Sequence, residues 1–214
     1  MGLSYESFDE RFFDVVDVKQ DLVTVCSGFT FIEGPIWNDV TGCLTFNDIP
    51  ESRTYRLEQG NTVRLLREDT HKANGNAYDM DDNIIVCEHV RSCISRTNDQ
   101  GENLEVLVSH YGDKELNSPN DVVVRSDGVI FFTDPRFGRN PNGLCFSPDE
   151  AFLYVNDSPK KHIRKFRVEA DGTLSGGAVW AETTGEGAGL PDGMKTDSRE
   201  NVYCCAQGGI HIFN

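Results

Sequence analysis

Residues 142–182 read NGLCFSPDEAFLYVNDSPKKHIRKFRVEADGTLSGGAVWAE, and this stretch decides the fold. Short runs rich in Val, Ile, Phe and Tyr are separated by Ser147-Pro148-Asp149-Glu150 and Asp171-Gly172, both turn-forming sequences. The pattern predicts four strands, over 143–146, 152–155, 162–168 and 178–182. Four antiparallel strands joined in this way make one blade of a β-propeller.

The opening and the middle of this stretch recur along the chain. A polar residue, usually followed by Gly, begins a first strand; a turn with Asp follows, and a second strand ends near Asp, His or Ala. The five copies are Glu33-Gly34…Asn47-Asp48, Asn74-Gly75…Glu88-His89, Asn120-Asp121…Thr133-Asp134, Asn142-Gly143…Asn156-Asp157 and Asp192-Gly193…Cys205-Ala206. Their heads are spaced by 41, 46, 22 and 50 residues. Three of these intervals match a blade period of roughly 40–50 residues, and the third is far too short.

The first copy predicts strands over 35–37, 43–47, 53–57 and 62–66, and the second runs from 74 to about 109. The third offers only 122–124 and 129–133 before residues 134–141 lead into the next head. Two outer strands, roughly 25 residues at the repeat period, are therefore expected to be missing near 138–141. The fifth copy reaches a third strand at 210–213, and residues 22–25 read as an unpaired strand able to complete a final blade. The rest of that blade is expected to be missing after 214. The expectation is a single all-β domain over 1–214, an incomplete propeller.

Composition limits the function classes. A net charge of −15 argues against nucleic acid or an anionic membrane surface as a partner. It is compatible with gathering a divalent cation, although solubility alone explains it. No apolar run is long enough for a transmembrane helix, and the acidic start MGLSYESFDERFF lacks the regions of a secretory signal. Seven cysteines show no zinc-finger spacing and read as reduced thiols packed in strands, which favours a cytoplasmic location.

In a propeller the residues that open the innermost strands meet at one mouth of the channel. Here they are Glu33, Asn74, Asn120, Asn142 and Asp192, all oxygen donors. Taken singly, Asn-Gly and Asp-Gly are turn formers. Five in register, with two carboxylates among them, suit a hard cation such as Ca²⁺. Zinc favours His or Cys, and no head is either.

Glu33-Gly34-Pro35-x-Trp37, Ser118-Pro119-Asn120-Asp121, Phe132-Thr133-Asp134-Pro135, Pro141-Asn142-Gly143-Leu144-x-Phe146-Ser147-Pro148-Asp149 and Pro191-Asp192-Gly193-Met194-Lys195 carry a resemblance. Together they resemble the gluconolactonase/senescence-marker-protein (regucalcin-like) family, closest to its bacterial and fungal gluconolactonase-like branch. The resemblance implies a six-bladed propeller of four-stranded antiparallel blades and a hydrolase that opens sugar lactones. It implies one divalent metal, Ca²⁺ first, with Zn²⁺, Mg²⁺ or Mn²⁺ as alternatives. Glu33, Asn120, Asn142 and Asp192 match the metal ligands, with Asp192 also the catalytic base. Asn74, Glu88, His89 and Asn120 fall near the substrate, a small-molecule lactone. Ser118 stands where some members place a substrate-binding Arg.

The metal would polarise the lactone carbonyl and activate water, with Asp192 accepting the proton. A carboxylate that binds a cation is a weak base, so Glu88 and His89 are further candidates. Residues 185–189, GEGAG, read as a loop, and the basic run over 160–167 reads as a solvated strand face. The alternatives to a lactonase are a non-catalytic calcium-binding propeller and an inactive truncated variant of the enzyme. Open strand edges left by missing strands predict low stability or self-association. A cooperative melt of a monomer would contradict that expectation.

Overall fold

The computed structural model describes residues 4–136 and 141–214. The segment expected to be missing falls at positions 138–140, outside the described residues. After a single helical turn, α1 (Phe12–Val15), the described chain is built from strands. The first sheet is β1 (Ile32–Asn38), β2 (Cys43–Asp48), β3 (Arg53–Glu58) and β4 (Thr62–Arg67), paired in that order. The second is β5 (Ala73–Tyr78), β6 (Ile84–Glu88), β7 (Cys93–Thr97) and β8 (Glu105–Val108). A small ribbon, β9 (His110–Tyr111) with β10 (Lys114–Glu115), leads to the third sheet, which holds only β11 (Val122–Val124) and β12 (Ile130–Phe132). The fourth is β13 (Leu144–Phe146), β14 (Phe152–Asp157), β15 (His162–Val168) and β16 (Leu174–Glu182). The fifth has three strands, β17 (Met194–Thr196), β18 (Val202–Ala206) and β19 (Gly209–Phe213).

All pairings are antiparallel between chain neighbours, and the innermost strands touch in the order β1, β5, β11, β13, β17. This is the expected propeller arrangement. The turn between first and second strands is set by one side chain in each unit. Asn38, Asp79, Asp127, Asp149 and Asp197 each accept a backbone N–H two residues on, at 2.9–3.2 Å. Such Asx turns let a short polar residue fix the hairpin without help from the core.

The core lies between sheets. Ile36, Ala73, Ile84 and Val86 join the first to the second, and Ile85, Cys87, Ile94 and Val122 join the second to the third. Residues Ile84 to Cys87 on β6 are therefore all buried, alternating between two neighbours instead of between core and water. Cys145, Tyr154, Ile163, Met194, Val202 and Cys204 join the fourth to the fifth. All seven cysteines are free and five are buried, but Cys205 is exposed and Cys26 is partly so.

One expected strand does not form. Residues 22–25 have no sheet partner, and Leu22 and Val23 are each 75% exposed. Their β-branched composition favours a pleated, half-buried surface, which requires a neighbouring edge to pair with.

The sheets are locked by the heads. Asn47 Nδ2 donates to the Asn74 carbonyl at 2.6 Å, Thr133 Oγ1 to that of Asn142 at 2.7 Å, and Asn156 Nδ2 to that of Asp192 at 2.5 Å. Gly75 N donates to the Asn120 carbonyl at 2.8 Å. Each head after the first is thus held by the preceding sheet. The glycine after the head permits this approach: a Cβ on Gly143 would stand 2.2 Å from the Asp192 carbonyl oxygen. Gly193, in the corresponding place, has open space. Gly143→Ala is expected to lower stability by about 2–4 kcal/mol and Gly193→Ala by less than about 0.5 kcal/mol, measured as urea melts in excess chelator.

Candidate metal centre and the recess beside it

The five heads open the five innermost strands at one end of the sheets. Glu33 lies on β1 and Asn74 on β5, each beside a register shift that turns the strand at its mouth. Asn120, Asn142 and Asp192 lie two residues before the starts of β11, β13 and β17. The loops ahead of two heads are fixed by acids at the ends of second strands. Asp48 accepts the N–H groups of Thr30 and Phe31, two residues before Glu33, at 2.9 and 3.1 Å. Asp134 accepts those of Asn117 and Ser118, two residues before Asn120, both at 2.9 Å.

Glu33, Asn142 and Asp192 interact directly or through their charges. Burial, and then the negative charge of Asp192, push the Glu33 carboxyl up to about 7; the Gly34 N–H and Lys195 pull the other way. Burial and Asp121 raise Asp192, against a hydrogen bond from the Asn142 side chain. Asp121 is itself raised by burial, opposed by Lys195 and by the N–H groups of Val122 and Leu144. Three carboxylates are therefore crowded where water cannot fully solvate them.

Whether these residues fit a cation can be judged from the amide. Asn142 Oδ1 is buried and has no hydrogen-bond partner, although its side chain also binds Asp192. A buried acceptor beside two repelling carboxylates supplies what a hard cation requires. Among the described residues no group of three or more His, Cys, Asp or Glu side chains could hold a metal. The fitting donors are two carboxylates and amide oxygens, the inventory of Ca²⁺ and not of zinc.

The other expected site residues divide. Asn74 Nδ2 lies 3.0 Å from His89 Nε2, and burial lowers the His89 pKa, so its imidazole is held in the neutral form at pH 7. Glu88 is fully buried at the end of β6. Ser95 Oγ and Arg67 Nη2 donate to its Oε1 at 2.6 and 3.1 Å, and His71 Nδ1 lies 3.2 Å from its Oε2. Its carboxylate is held between the first and second sheets and not presented to solvent, and its Oε2 accepts no hydrogen bond among the described residues. Two residues of the site escaped the sequence reading, Asp121 and Lys195. Asp121 did leave a signal, because the other four heads are followed by Gly.

Next to the heads, His89, Val90, Asn117, Ser118 and Arg136 line a recess of about 370 Å³.

The SMP-30/gluconolactonase/LRE-like model matches residues 31–141 and 139–214. A gluconolactonase of Zymomonas mobilis is 26% identical over 96% of this chain and 73% of its own length. That alignment runs over 260 residues, longer than the chain, so the relative carries residues that this chain lacks within the matched span. The crystal structure of a Xanthomonas campestris gluconolactonase is 32% identical, with a TM-score of 0.82 over 89% of this chain and 75% of that one. A calcium-binding regucalcin from Agrobacterium tumefaciens shares the fold at 16% identity and a TM-score of 0.68, over 88% of this chain and 72% of that one.

The raised Glu33 carboxyl has a definite sign. The folded chain retains its proton up to about 7, against an ordinary value of 4.5. This contribution favours folding at low pH and is lost as pH rises through about 7. In metal-free protein, Glu33→Gln is therefore expected to gain Tm relative to the parent as pH rises from 5 to 8. A difference that does not change with pH would contradict the electrostatic crowding.

Proposed function

The chain belongs to the SMP-30/gluconolactonase/LRE-like family, and on that premise we propose that it opens sugar lactones by hydrolysis at a site for one divalent cation. The ligands in this reading are Glu33, Asn120, Asn142 and Asp192, and the cation is Ca²⁺ in preference to Zn²⁺, Mg²⁺ or Mn²⁺. The observation that carries it is the unpartnered, buried Asn142 Oδ1 beside the Asp192 carboxylate. The names of the Zymomonas and Xanthomonas relatives support the reaction class, and that of the regucalcin supports the choice of metal.

A bound divalent cation supplies Lewis acidity to a carbonyl oxygen and acidity to water. The protein's own groups do the rest. Asp192 accepts the proton from attacking water, and Asn120 and Asn74 orient the lactone at the mouth. His89, neutral and aligned by Asn74, is a second proton acceptor. Glu88, buried and bonded through Oε1 to Ser95 and Arg67, serves in this reading to hold the strand that presents His89.

We further infer that two outer strands of the third unit have been lost near 138–141 from a six-bladed ancestor. The two-stranded third sheet, the family match split at 139–141 and the long Zymomonas alignment support this. The same features keep open a second reading, a calcium-binding propeller without catalysis or an inactive truncated variant. Five buried free thiols support a cytoplasmic location.

Turnover of glucono-1,5-lactone is expected to require added Ca²⁺ and to stop in chelator. Asp192→Asn is expected to lower kcat by about 10²-fold or more, the scale of losing a positioned base. Metal affinity is expected to weaken as pH falls below about 7, because binding must displace the Glu33 proton. Tight Ca²⁺ binding with no turnover across a lactone and ester panel would move the assignment to the non-catalytic reading.

A further inference from the structure

The recess beside the heads has chemistry that a neutral sugar lactone does not call for. Ser118 is 6% exposed, and its hydroxyl is buried without a hydrogen-bond partner among the described residues. Its position is not free to adjust, because Asp134 Oδ1 holds its backbone N–H at 2.9 Å. Asp134 is the nearest acid in sequence to Arg136, yet its oxygens already accept the N–H and Nδ2 of Asn117 as well as Ser118 N. Arg136 forms no ion pair among the described residues. Arg125, from the same sheet, pairs with Asp127 at 2.6 Å. In a chain of net charge −15 the lining of this recess thus includes an arginine with no ion pair and a buried serine hydroxyl with no hydrogen bond among the described residues. The lining also includes His89, tied to the head Asn74 at 3.0 Å.

We propose that this recess binds the carboxylate of an acidic lactone, with Arg136 as the specificity-determining residue and Ser118 Oγ–H as a second donor. This inference rests on the lactonase reading and names its substrate class: a sugar lactone bearing an exocyclic carboxylate. A guanidinium meets a carboxylate with two parallel N–H donors, whereas a neutral hydroxyl uses neither its charge nor its fork. Ser118 lies two residues before the head Asn120, and His89 contacts the head Asn74. A substituent held in the recess therefore belongs to a molecule whose ring lies at the mouth.

The test compares glucono-1,5-lactone with glucaro-1,4-lactone, which carries a carboxylate, on the parent protein, Arg136→Gln and Arg136→Lys in saturating Ca²⁺. Arg136→Gln is expected to lower kcat/KM for the acidic lactone by about 10–100-fold, mainly through KM, the scale of one charge-assisted pair. The neutral lactone should change by less than about threefold, and Arg136→Lys should recover part of the loss. Equal losses on both substrates, or none on the acidic one, would overturn the proposal. Calorimetric binding of glucarate to the parent and to Arg136→Gln separates this from failure of the lactonase reading. If neither lactone turns over but the variant binds glucarate about 10–100-fold more weakly, the recess stands and the hydrolase assignment falls. Equal glucarate binding by both proteins refutes the recess in either case.

Discussion

The structure depends on a hydrogen bond that each sheet makes to the next. A polar side chain near the end of one second strand, or a glycine N–H, grips the carbonyl of the following head. These bonds are buried or nearly so, and breaking one leaves a carbonyl without water or partner, at a cost of about 1–3 kcal/mol. Hydrophobic burial between sheets is larger but tolerates sliding, since Ile, Val and Cys present no fixed register to one another. The carbonyl grip does not tolerate it. It sets where each innermost strand begins, and therefore where the five heads stand along their strands.

That ring has an electrostatic cost. The backbone bonds that fix Asn142 and Asp192 leave their side chains directed at each other and near Glu33 and Asp121. Lys195 acts as a cation on both Glu33 and Asp121, and it is itself exposed. Crowded carboxylates with a solvated counter-charge are a destabilised arrangement that the surrounding frame enforces. The frame engages its own acids: Asp48 and Asp134 bind backbone N–H groups, and Glu88 Oε1 binds Arg67 and Ser95.

Much of this was legible in the sequence, for local reasons. Strands were found within a few residues because Asx turns at Asp149 and its counterparts fix hairpins from their own residues. The heads were legible because a repeated polar-Gly pair has to occupy equivalent places in a repeated fold. Features that depend on partners were less legible. Residues 22–25 have strand composition but no edge beside them, and Glu88 followed the motif while its Oε1 meets Ser95 of its own sheet and Arg67 of the first. Asp121 and Lys195 were passed over because their importance comes from neighbouring sheets. The recess at Arg136 joins residues 89–90, 117–118 and 136, which no spacing rule connects.

The third sheet has a consequence for how such a protein can be rebuilt. Among the described residues it consists of β11 and β12, yet Thr133 still grips the Asn142 carbonyl and Asp134 still fixes Asn117 and Ser118. The bonds that grip the head carbonyls come from inner hairpins, while outer strands support them, as Thr54 does for Asn47, and add core residues such as Ile94 and Ile163. A unit is thus divisible. Its outer half is the natural place for grafted loops, reporter insertions or engineered covers, because exchanging it leaves the geometry of the mouth to residues that are not touched.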